Sequence, residues 1–105
     1  TERPLSEADF QLIGDYEKNM SQNNMTPYVQ VAEKFKKERD FIKKTPVPEQ
    51  YIIIHLQYIN ALEGLYSLYN ELALQEEDPA KALSAYLSAQ QILTDYKEVL
   101  EQMQK

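Results

Sequence analysis

Gln75-Glu76-Glu77-Asp78-Pro79-Ala80-Lys81-Ala82 is the stretch that decides the fold. Aspartate followed by proline starts a helix for two physical reasons. The carboxylate can accept one of the backbone N–H groups that lack an intrahelical partner, and proline fits the first helical position, where its missing N–H costs least. Beyond the pair, Ala82, Tyr86, Ala89, Leu93, Tyr96, Leu100 and Met103 recur at 3-4 spacing, broadened by Ala85, Ile92 and Val99. Before it, Ile52, His55, Ile59, Leu62, Tyr66, Tyr69 and Ala73 keep the same period, broadened by Tyr58, Leu65 and Leu72. Helices are therefore predicted over 48–75 and 79–104, each roughly 40 Å long at the α-helical rise. So short a link forces them antiparallel. Ala82, Ala85 and Ala89 would allow close approach near the turn.

Upstream, Thr45-Pro46-Val47-Pro48 is a stiff connector, because a residue before proline is pushed out of the α region. Pro48 is expected in the first turn of the following helix, with Glu49 near its positive end. Thr26-Pro27 reads as an N-cap and first helical residue, opening a helix over 27–44 striped by Tyr28, Val31, Ala32, Phe35 and Ile42. Phe10, Ile13, Tyr16 and Met20 stripe a first helix over 6–24, which Ser6 and Asp9 would open as a capping box. Ser21-Gln22-Asn23-Asn24 weakens helical preference between the two. A single helix kinked at Pro27 is the alternative.

The whole chain, 1–105, is thus expected to be one all-α antiparallel bundle of about four helices with a long C-terminal hairpin. Composition agrees. Two glycines are too few for a multi-stranded sheet, and all five prolines sit between periodic segments. With no cysteine, disulfides and thiolate metal sites are excluded.

A net charge of −6 argues against nucleic acid and against an anionic bilayer as the main partner. Residues 33–44 reverse the sign, with six cations against three acids. Glu33–Lys37, Lys34–Glu38, Lys36–Asp40 and Asp40–Lys44 are i,i+4 pairs, so this run is expected to neutralise itself as a solvated face. No apolar run reaches membrane-spanning length. The first residue is Thr1 rather than Met, so removal of an upstream piece is expected, and that piece could be an anchor.

His55, the lone histidine, has Ile52 where a Glu-x-x-His metal motif needs glutamate. It is expected to be a hydrogen-bonded core residue whose protonation would loosen the bundle. Tyr58, Tyr66, Tyr69, Tyr86 and Tyr96 lie on core stripes, whereas Tyr28 and Tyr51, near helix starts, are expected to be exposed. Asn19-Met20-Ser21 and Asn24-Met25-Thr26 match the glycosylation sequon, the second followed by Pro27. There is no phosphate loop, nucleophile elbow or spaced acid pair, so no enzyme, cofactor or metal is expected.

Asp78-Pro79 through Ala89, with Ala82, Tyr86 and Ala89 at matching offsets, resembles the second helix of a tetratricopeptide repeat. The first-helix pattern departs from that family and no second copy exists, so a repeat array is not implied. Pro46-Val47-Pro48, His55-Leu56, Asn60-Ala61-Leu62, Asp78-Pro79, Ala82-Leu83 and Tyr86 together resemble uncharacterised exported helical proteins of candidate-phylum bacteria. That resemblance implies an extracytoplasmic domain tethered by an N-terminal segment, and it supplies no activity.

The expected function is a non-enzymatic interaction or scaffold domain outside the cytoplasmic membrane, meeting a protein partner or its own kind. Ile53, Ile54 and Leu56 carry surplus apolar surface off the core stripe and are the expected docking residues. A small-molecule pocket lined by His55, Tyr58 and Tyr86 is the alternative, and a cytoplasmic adaptor the second.

Overall fold

The computed structural model describes residues 7–104. Ser6, half of the expected capping box, lies outside the described residues. Five α-helices follow one another: α1 (Glu7–Gly14), α2 (Tyr16–Ser21), α3 (Thr26–Lys44), α4 (Ile52–Ala73) and α5 (Pro79–Met103). A 3-10 turn over Glu49–Tyr51 precedes α4, and no strand occurs among the described residues. The molecule is an all-α bundle measuring 47 × 24 × 22 Å.

The predicted first helix is present with a break at Asp15 that barely bends its course. Asp15 N–H still donates to the Gln11 carbonyl at 2.9 Å, and Asn19 N–H to the Asp15 carbonyl at 2.9 Å. Its end has a defined mechanism. Asn23 takes a left-handed conformation, φ 55°, while Asn24 N–H reaches back to the Asn19 carbonyl and Asn23 N–H to that of Met20. This is a Schellman stop, with asparagine tolerating the αL position usually given to glycine. It resolves the alternative at Pro27 in favour of two helices. Thr26 does not cap α3. The cap residue is Met25, with no side-chain hydrogen bond, and Thr26 is the first helical residue.

Pro48 likewise does not open a long α-helix. Its carbonyl accepts from Tyr51 N–H in the 3-10 turn, and α-helical geometry begins at Ile52 rather than at 48. The Asp78-Pro79 start forms as its chemistry requires. Asp78 Oδ1 accepts from Lys81 N–H at 3.1 Å, and Pro79 occupies the first helical position.

α4 is the central rod, packed against α3 on one side and α5 on the other. Double packing widens its buried arc to Tyr58, Ile59, Leu62, Leu65, Leu68, Tyr69 and Leu72. Leu68 lies off the 3-4 stripe and is buried for that reason. The two predicted stripes fade at the opposite end of the bundle, where Ile52 and Met103 are exposed.

α1 and α2 lie antiparallel to α3 and α5, in the groove between those two helices and over α4. Three tyrosine hydroxyls hold them there. Tyr69 donates to the Asp9 carbonyl at 2.7 Å, Tyr28 to the Leu12 carbonyl at 2.5 Å, and Tyr16 to the Leu72 carbonyl at 3.2 Å. Tyr28, expected at the surface, is fully buried: it meets Tyr16 edge-on at 5.6 Å and stacks on Tyr69 at 6.5 Å. Asn19 is buried too and donates to the Tyr28 hydroxyl, so its sequon is closed to modification in this fold. Asp9 pairs with Lys34 of α3, and Lys97 of α5 sits 4.7 Å over the Phe10 ring.

Candidate functional site

The groove that seats α1 and α2 is longer than its occupant. Residues 7–21 span about 22 Å at 1.5 Å per residue, against about 37 Å for α5. Above, the floor is Tyr69 and Leu72 and the N-terminal helices fill the space. Below Glu7, where α1 begins, no described residue lies between the ends of α3 and α5.

There the bundle opens into an apolar cleft of about 440 Å³. Ile42 and Thr45 of α3, with Val47 of the connector, form one wall. Tyr51, Ile54, His55 and Tyr58 form the floor, and Gln102 with Met103 the far wall. Tyr58 is buried and faces Tyr96 at 6.4 Å between ring centroids. Burial, then Tyr96 and the charge of Glu38, push its phenol well above the usual range, so its hydroxyl stays protonated.

Helical geometry fixes what borders the cleft. Residues seven apart on a helix face nearly the same way. Phe41 therefore lies two turns below Lys34, on the α3 edge that faces α1 higher up, and Lys37 and Lys44 flank it one turn to either side. Phe41 is 65% exposed. It falls off the predicted stripe, and its only signal in the sequence is an aromatic ring in the midst of lysines. Ile53 at 74% and Leu56 at 53% are exposed on the side of α4 turned away from the cleft, whereas Ile54 is half-buried in its floor.

The expected self-neutralised face is not what forms. Lys34 turns to Asp9, Arg39 pairs with Asp40 at 2.9 Å and with Glu63 of α4, and none of the four i,i+4 pairs closes. Lys36, Lys37, Lys43 and Lys44 are exposed and have no ion pair among the described residues. Arg39 also lies 5.3 Å over the Tyr66 ring, which commits it to the α3–α4 seam.

The three residues of the expected small-molecule pocket do not meet. His55 and Tyr58 share the cleft, whereas Tyr86 stacks on Tyr16 at 5.2 Å near the opposite end. His55 is not a hydrogen-bonded core residue either. It is half-exposed in the cleft and makes no hydrogen bond among the described residues.

No carboxylate lines the cleft, and no group of three potential metal-ligating side chains occurs among the described residues. No described helix is long and apolar enough to cross a membrane. The cleft thus combines an apolar floor, one imidazole and a neighbouring edge of exposed lysines. No protein-family model matches the chain, and no curated protein or solved structure matches it either.

Proposed function

We propose that this chain is a non-enzymatic interaction module that receives a short helical segment of a partner protein in the open end of its α3–α5 groove. One observation carries the reading. The same two walls and the same central helix already seat a helix of the chain itself, in the half of the groove next to the cleft. Helix-in-groove recognition needs an apolar trough with anchor sites at about one-turn spacing. Ile54 and Tyr58, one turn apart on the floor, supply it. Exposed Ile53 and Leu56, expected to dock a partner, project from the opposite side of α4 and take no part in the trough.

Titration of isotope-labelled protein with a synthetic Leu-striped helical peptide tests this. Amide shifts are expected around Ile42, Ile54, His55 and Met103 and absent from the α4–α5 seam at Gly64. Shifts at that seam instead, or none near saturation, would contradict the reading. An apolar small ligand is the second reading, supported by a cleft volume inside the usual range for ligand sites. Display outside the cytoplasmic membrane is the proposed location and the cytoplasm its alternative, to be decided by fractionating cells that express the full reading frame.

A further inference from the structure

The structure points to the charge of the segment as well as its shape. We infer that the groove takes an acidic amphipathic helix whose acidic edge lies along the lysine edge of α3, an inference that rests on the groove reading above.

The occupied half of the groove shows the pattern. α1 and α2 carry Glu7, Asp9, Asp15 and Glu17 against Lys18, and their buried Asp9 pairs with Lys34 on the α3 edge. Lower on the same edge Lys37 and Lys44 flank Phe41 and outnumber the one acid there, Glu38, and neither lysine has an ion pair among the described residues. The far edge gives no such preference. On α5, Lys97 is taken up over Phe10, and the next turn carries Glu101. Complementarity is therefore one-sided: acids against α3, apolar anchors on Ile54 and Tyr58, and neutral or basic residues toward α5. From Lys37 to Thr45 the free edge is eight residues, about 12 Å, which accommodates roughly two turns of helix. A flat anionic bilayer would meet the same lysines and Phe41, but it could not reach a floor recessed between two helices.

Three synthetic peptides of about four turns test the inference. They share one Leu stripe and carry Glu, Gln or Lys along one flank, and their binding to the full chain is read by fluorescence anisotropy at low and high salt. The Glu peptide is expected to bind about tenfold more tightly than the Gln peptide at low salt, from two or more partly desolvated pairs. High salt and the double variant Lys37→Glu/Lys44→Glu should each erase that advantage. In the double variant the Lys peptide should become the preferred one. All three should weaken in Ile54→Asp and, as a check at a fully solvated position, in Phe41→Ala.

Equal binding of the Glu and Gln peptides in the native chain overturns the charge inference and leaves the groove reading intact. Unchanged binding in both Ile54→Asp and Phe41→Ala overturns the groove reading. Failure of every peptide to bind overturns both. Sedimentation with phosphatidylserine vesicles that needs Lys37 and Lys44, in the absence of peptide binding, would assign the edge to a lipid surface instead.

Discussion

Gly64 offers a measurement whose sign the structure decides. It sits in the middle of α4, with no left-handed backbone to require glycine. Alanine in its place would gain close to 1 kcal/mol of helix propensity, because the unfolded chain loses less backbone freedom on folding. Whether that gain survives depends on what the new methyl meets. Its carbon would lie 3.6 Å from Ile92 Cγ2 on α5, an ordinary van der Waals contact. The methyl therefore adds dispersion without repulsion. Gly64→Ala should stabilise the bundle by about 1 kcal/mol, which in a domain of this size raises Tm by about 5 °C. Urea unfolding followed by helical circular dichroism measures it, with the slope expected to stay unchanged. Gly14→Ala is the companion variant. Its methyl would meet only the Gln11 side-chain nitrogen at 3.9 Å, and it ends a short helix, so its gain should be smaller. A loss of stability in Gly64→Ala would refute the reasoning, because it would mean that α5 lies closer to α4 than a methyl allows.

Alkaline pH should weaken the fold. Burial raises the phenol ionisation of Tyr16, Tyr28, Tyr58 and Tyr69 above its unfolded value of about 10. The unfolded chain then gives up these protons first, so stability is fully present below about pH 10 and falls as pH rises through the folded values. An unfolding midpoint that stays level well above that pH would contradict this. Asp78→Ala removes the acceptor of Lys81 N–H and should cost about 1 kcal/mol in the same urea assay. A cost near zero would show that the turn is held by α4–α5 packing alone.

The parts of this fold legible in the sequence are those decided within a few residues. Asp78-Pro79 is a local device: both its carboxylate bond and its proline act within one turn, and the helix begins there. The 3-4 stripes of α4 and α5 are legible because core periodicity follows from helix geometry, and they fail at Ile52, His55 and Met103, which no described residue covers. Tyr28 illustrates the opposite case. Its place on the α3 stripe with Val31 and Phe35 points it inward, but that α1 roofs it depends on a groove made by three helices, which no local pattern encodes. The lysines of α3 are the same problem in electrostatics. Their i,i+4 spacing is real, but Asp9 and Glu63, far away in sequence, draw Lys34 and Arg39 out of the local pattern. Lys37 and Lys44 are left without an ion pair among the described residues. Of the candidate site, Ile54, His55 and Tyr58 were visible as surplus apolar or unusual residues. Phe41, Val47 and Met103 join them only through the way the helix ends splay.

The three tyrosine hydroxyls that dock the N-terminal helices all donate to main-chain carbonyls, and every residue type offers one. Each of these bonds is thus specified by its tyrosine alone, two of them beneath α1 and one, Tyr16, on α2 itself. Leu12, Leu72 and Asp9 can exchange side chains and still present the same acceptors, whereas Tyr16, Tyr28 and Tyr69 cannot lose a hydroxyl without losing a bond. Drift at Leu12 and its neighbours in α1 is buffered so long as α1 remains helical, because Tyr28 and Tyr69 beneath it supply the donors, whereas α2 must keep Tyr16. A segment free to vary in sequence while keeping its seat can acquire new outward-facing chemistry without unsettling the bundle.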